Sequence, residues 1–183
     1  MYFNTADIKK KLKVARVGNE VFISKKAKII YPENLFVGKN VRIDDNVILI
    51  CKKPMHIGSN IHIAPNSIIR SHAEVFISDF VLISSFVDIF SATEEVNSDR
   101  NISHPMIKRL SKNCLKKKIV IEKYSFIGSH SVILPDAYLS EGTFVGALTL
   151  INFKTKKWNS YIGNPARIIG QRDKNSIVKQ FLR

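Results

Sequence analysis

Between residues 125 and 151 the sequence SFIGSHSVILPDAYLSEGTFVGALTLI puts an aliphatic side chain at Ile127, Ile133, Leu139, Val145 and Ile151, six residues apart every time. A helix repeats its apolar face about every 3.6 residues and an alternating strand every two, so this beat demands another geometry. Upstream it persists in stretched form. Ile23, Ile43, Ile63 and Ile83 are spaced by 20, as are Val37, Ile57 and Ile77, and likewise Ile29, Leu49, Ile69 and Ile89. Within one turn the steps are six, six and eight, from Val37 to Ile43 to Leu49 to Ile57, and beyond Ile121 the turn shortens to 18. Three short strands per turn, with one corner two residues longer in the upstream coils, account for both spacings.

Such fixed-period self-similarity, one aliphatic per strand, predicts a mainly β chain wound into a parallel β-helix of hexapeptide repeats. Each strand sends one branched residue inward while its neighbours point out. Successive turns then stack into three apolar columns that no single turn could bury alone. An antiparallel sandwich would instead show period two and hairpin dipeptides such as Asn-Gly, which the sequence lacks. The hexads occupy residues 21–169. Residues 1–20 read as an N-terminal helical segment, with a helix over 5–14 capped by Thr5 or Asp7. Residues 170–183 read as a tail with a helix over 173–183 capped by Asp173 or Asn175. A loop over about 90–118 carries no hexad, and so long an excursion from a regular scaffold points to function.

The 183-residue chain is 45% hydrophobic, enough for one domain with a sizeable core. Its N-terminus has no apolar leader, and no stretch approaches the roughly 18 apolar residues of a membrane span. Two isolated cysteines, Cys51 and Cys114, fit a reducing, cytoplasmic setting. The formal net charge of +14 comes largely from scattered lysines. That pattern argues against a shaped nucleic-acid groove and for a basic surface that attracts small phosphorylated ligands.

The hexads, the long loop, the stretch IGSHSVILPDAYLSEGTFVGALTLI and the closing YIGNPARIIGQR resemble the hexapeptide-repeat acyltransferases, over about residues 21–172. The "HIA" at His62–Ala64 and the paired acids Glu94 and Glu95 are most similar to the sugar O- and N-acetyltransferases of bacterial surface-polysaccharide biosynthesis. The resemblance implies a left-handed β-helix, a homotrimer with active sites between subunits, and acetyl-CoA as acyl donor. It implies a sugar or nucleotide-sugar acceptor offering a hydroxyl or an amine. The family's CoA-contacting positions fall on Ser129, Ala147 and Arg167, with Gly146 leaving room for the pantetheine arm or fitting a tight corner. Asn152 and Phe153 stand where such enzymes often carry threonine and lysine, so Lys154, Lys156 or Lys157 would serve the phosphates instead.

Transfer to a hydroxyl needs a general base, and histidine, with an ordinary pKa of about 6.5, is suited to it. The galactoside branch of the family carries its catalytic histidine where this chain has Glu94. One solution is His62, turned outward beside Ile63, with Glu94 or Glu95 orienting the ring. A second is His104 in the loop. A third is an amine acceptor that attacks without a base. Two other classes compete: a non-catalytic β-helix scaffold, and a hydratase of the γ-carbonic-anhydrase type. The hydratase needs three converging ligands. A triangular coil sends His56 and His62, six residues apart, to different faces, so no metal is expected.

Overall fold

The computed structural model describes residues 1–94, 106 and 114–181, and Glu95 and His104 lie outside them. The chain winds through about six turns of a left-handed parallel β-helix. Its three faces are sheets of parallel strands, in the 20-residue register of the sequence upstream and the 18-residue register beyond Ile121. The first face carries Leu35–Val37, Met55–Ile57, Val75–Ile77, Ile119–Ile121 and Tyr138–Leu139. The second carries Val41–Ile43, Ile61–Ile63, Leu82–Ile83, Phe126–Ile127 and Phe144–Val145. The third carries Ile48–Ile50, Ile68–Arg70, Asp88–Phe90, Val132–Ile133 and Leu150–Ile151.

The three predicted columns are buried from Val37 onward and at Ile23, while Ile29, in the first turn, is half-buried and packs against the core. The interior is fuller than one residue per strand, however. On the first two faces a second inward residue precedes each column member, as with Leu35 before Val37 and Val41 before Ile43, and these too are buried. On the third face the extra positions include Ser67 and Ser131, whose hydroxyls donate to the carbonyls of Ser84 and Gly146 at 2.9 and 2.8 Å. A small side chain with a nearby carbonyl partner is a buried polar group that costs little.

The corners require left-handed backbone. Asn40, Asn60, Asn46 and Asn66 supply it at φ 53–64°, the residue type that tolerates it best after glycine. Their amides form ladders, Asn40 to Asn60 at 2.8 Å and Asn46 to Asn66 at 3.1 Å. In later coils Phe80, Phe86, Tyr124 and His130 hold the same conformation. There ring stacking replaces the amide ladder: Phe80 on Tyr124 at 5.3 Å and Phe86 on His130 at 4.7 Å between centroids.

The ends differ from expectation in detail. The predicted N-terminal helix is a single α-turn, Thr5–Asp7, running into a π-helical turn, Ile8–Leu12, that stops at Lys13 with φ 52°. Its cap is Asn4, whose side chain accepts from the Asp7 N–H, rather than Thr5 or Asp7. Thr5 is otherwise engaged, accepting from the Val21 N–H. Ahead of the turn, Tyr2–Phe3 forms an unpredicted strand antiparallel to Val21–Ser24. The C-terminal helix is Lys174–Phe181, and of its two candidate caps Asp173 fills the role, accepting from the N–H groups of Asn175 and Ser176. The loop leaves the coil as a ribbon, Ala92–Glu94 paired with Cys114–Lys116.

Candidate active site

Alternation on Ile61–Ile63 buries both isoleucines and turns His62 onto the outer side of the second face, its side chain 38% exposed. The ladder sets Arg42 beside it on one side and Leu82 on the other. Two residues past Arg42 the chain rounds the corner, and there Asp44 is almost wholly buried. Its Oδ2 meets His62 Nε2 at 2.7 Å, while Oδ1 accepts from Tyr2 Oη at 2.5 Å and from Arg42 Nε at 2.7 Å. Arg42 also donates to Tyr2 Oη at 2.9 Å. The N-terminal strand therefore delivers one of the three groups that surround this carboxylate.

The charge states follow. Burial works against ionisation of Asp44, but the hydrogen bonds from Tyr2, His62 and Arg42 outweigh it and hold the carboxyl below its usual range. The bond to Asp44 pushes the Tyr2 phenol up and keeps Arg42 charged. An ionised Asp44 can only accept, so His62 donates from Nε2, and in the neutral ring Nδ1 is the nitrogen left to accept. A buried carboxylate fixing an imidazole tautomer is the arrangement a histidine base needs. Around the ring lies a groove of about 760 Å³ bounded by Phe22, Leu82, Phe126 and, from the C-terminal helix, Phe181.

The carboxylate on His62 is Asp44, a residue the sequence reading passed over. Glu94 stands at the root of the loop ribbon, where Cys114 Sγ donates to its Oε1 at 3.4 Å. The coil period did hold the signal, since Arg42 is 20 residues before His62 and Asp44 lies two residues along the same edge. Tyr2 had no such signal, because its strand stands outside the repeat. His56 and His62 lie on different faces, as the triangular coil requires, and His56 is sandwiched between Phe36 and Phe76 at 4.7 and 4.2 Å.

Ser129, Gly146 and Ala147 gather at one corner between the second and third faces. The Ser129 carbonyl accepts from the Leu148 N–H at 3.0 Å, and Ala147 and Leu148 are exposed. Gly146 is needed for packing: a Cβ there would lie 2.6 Å from Ile162 Cγ2. Ile162 in turn pairs with exposed Arg167. The corner thus offers a bare, small-residue edge with a cation beside it, which suits a slender amide-bearing chain ending in phosphates. Asn152 and Lys154 lie away from it; Asn152 is exposed past the third face, and the Lys154 ammonium sits 4.7 Å over the Tyr138 ring on the first.

No protein-family model matches the chain. A dTDP-4-amino-4,6-dideoxy-D-glucose acyltransferase of Escherichia coli is 35% identical over 159 residues, covering 86% of this chain and 82% of that protein. AntD, an N-acyltransferase from Bacillus cereus, is 33% identical in an aspartate variant solved with dTDP and coenzyme A. The two structures superpose with a TM-score of 0.90 over 99% of this chain and 97% of that one. AntD has also been solved with dTDP and 3-hydroxybutyryl-CoA, at 32% identity and a TM-score of 0.89, covering 99% of this chain and 96% of AntD. A hexapeptide-repeat acetyltransferase from Vibrio cholerae, 18% identical with a TM-score of 0.58 over 88% of this chain and 76% of its own, shares the fold. By sequence and by fold along nearly its whole length, the chain belongs to the hexapeptide-repeat acyltransferases.

Proposed function

We propose that this chain transfers an acetyl group from acetyl-CoA to the amino group of a dTDP-linked amino sugar, yielding an amido sugar nucleotide for glycan assembly. The observation that carries this reading is the near-complete superposition on an N-acyltransferase solved with coenzyme A and, in a serine variant, with dTDP-4-amino-4,6-dideoxyglucose. The fold's corner supports the donor half, since Ser129, Ala147 and Arg167 leave an open edge beside a cation. Cys51 and Cys114, joined in no disulfide among the described residues, agree with a cytoplasmic setting. No helix among the described residues is long and apolar enough to cross a membrane.

His62 is the proposed base. Its Nδ1 accepts the proton that the attacking amine loses as the C–N bond forms and the C–S bond breaks. The same nitrogen returns that proton to the departing thiolate, so the step needs no other reactant. Asp44, held by Tyr2 and Arg42, keeps the ring in the accepting tautomer and stabilises the imidazolium formed on the way. Glu94, at the loop root, is assigned to the acceptor side of a site shared by neighbouring subunits of a homotrimer. Purified protein given acetyl-CoA should release free thiol only when dTDP-4-amino-4,6-dideoxyglucose is added. Absence of sugar-dependent release across a panel of acyl donors would overturn the reading. His62→Ala should lower turnover by about 10²- to 10⁴-fold while coenzyme A still binds. Turnover near the wild-type rate would instead mean that His104 is the base or that the amine attacks without one.

A further inference from the structure

At the enlarged corner between the third and first faces, residues 20 apart stack along the coil axis, so Lys52 and His72 are neighbours and Ala92 follows. Lys116 enters from the loop ribbon as the ladder partner of Ala92. Arg70 closes the strand just before His72 and lays its guanidinium on the Phe90 ring, 4.7 Å from the centroid. Four cationic or protonatable side chains thus meet where the long loop leaves the scaffold. Their mutual influence is visible in His72, whose pKa is pushed down by burial and then by Lys52, Lys116 and Arg70.

The basic side chains next along the chain are paired. Lys117 binds Asp136 at 2.7 Å, and Lys118 binds Glu74 at 3.3 Å. Among the described residues none of Lys52, Arg70, His72 and Lys116 forms an ion pair, and Arg70 Nε is buried with no hydrogen-bond partner. Asp88, the carboxyl in the field of Arg70, has its pKa raised by burial and makes no ion pair with it. A buried donor without a partner calls for an explanation. So does a knot of like charges, which repel one another unless an anion sits among them. The chemistry fits one kind of anion. A guanidinium whose plane is set by an aromatic ring, flanked by two flexible ammonium groups and an imidazole, matches the several oxygens of a phosphate.

We propose that Lys52, Arg70, His72 and Lys116 form a binding site for a phosphate or pyrophosphate group. The reading above enters only for its source, which is either the diphosphate of the dTDP-sugar or the phosphates of coenzyme A. The His72 imidazole signal, assigned by its disappearance in His72→Gln, is followed by NMR while inorganic pyrophosphate is added to the intact protein. A saturable shift is expected. Lys52→Ala/Lys116→Ala, which removes two exposed side chains and leaves the core untouched, should weaken it by about tenfold or more. Lys9→Ala/Lys10→Ala, matched in charge but on the N-terminal turn, should leave it unchanged. An unmoved His72 signal, or equal affinity in both double variants, overturns the site. Repeating the titration with dTDP and with coenzyme A names the source by which of them moves His72. If pyrophosphate moves it and neither substrate does, its assignment to a substrate phosphate is overturned. Failure of the acyltransferase reading would show separately, as wild-type protein that releases no thiol yet still answers to pyrophosphate.

Discussion

Asp44 shows how much a single carboxylate can hold in place. It accepts three hydrogen bonds from three different stretches of chain, and each favours its ionised form. Because its folded-state pKa lies below the unfolded value of about 3.9, the stability it contributes is complete above that value and is lost as pH falls through the folded pKa. Asp44→Asn cannot ionise and lacks this contribution at every pH. The melting temperatures of wild type and Asp44→Asn should therefore differ most near neutrality and converge below about pH 4. Parallel curves down to pH 3 would show that Asp44 is not held as the geometry states. The same variant leaves a side chain at hydrogen-bond distance from Nε2 but no longer dictates which nitrogen bears the proton. Turnover should fall by about 10- to 10³-fold, with the loss in kcat rather than in coenzyme A binding.

Among elements, what could be foreseen depended on whether the period reached them. Ile43, Ile63 and Ile83 announce the second face because each stacks on the last, and the fold repeats one solution about six times. Outward residues were harder to read. The period gives the register of His62 beside Arg42, but only the bend of the corner brings Asp44 to the ring. The terminal strand at Tyr2–Phe3 packs by its own antiparallel pairing, so nothing in the hexads could announce it. The C-terminal helix was legible as a helix, though not in where it docks. Arg172 settles that by donating to the carbonyls of Tyr124 at 2.8 Å and Gly142 at 2.7 Å, while Phe181 packs 5.2 Å from Phe80 and 5.5 Å from Tyr124. Arg172→Met keeps the stem and deletes both bonds. It should cost about 1–3 kcal/mol in denaturant unfolding, and amides of 174–181 should exchange faster than those of the coils. Unchanged exchange there would mean that Phe181 alone anchors the helix.

At the scale of the whole molecule, the His62 groove is walled by one protomer but open on its outer side, and the corner bearing Ala147 is equally exposed. Three ladder steps of about 4.8 Å each separate His62 from Phe144 along the second face, and Ala147 lies beyond it at the corner. A protomer standing alone thus shows a base and a donor edge on surfaces that face outward, and a second copy is the simplest source of the missing wall. A closed symmetric ring would repeat that junction identically at every boundary. If His62 acts on a donor held at its neighbour's Ala147 corner, two dead variants can rescue each other. Ala147→Trp should fold, since the side chain points to solvent, yet block the edge. His62→Ala keeps the edge and lacks the base. Each alone should be nearly inactive. Unfolded together at equal amounts and refolded, they place a sound base opposite a sound edge at about a quarter of junctions, so about a quarter of wild-type turnover should return. Light scattering on the same sample should give three times the 20.8 kDa chain mass. A mixed trimer with no recovered turnover would put both groups of each site on one chain, leaving the neighbour as a wall only.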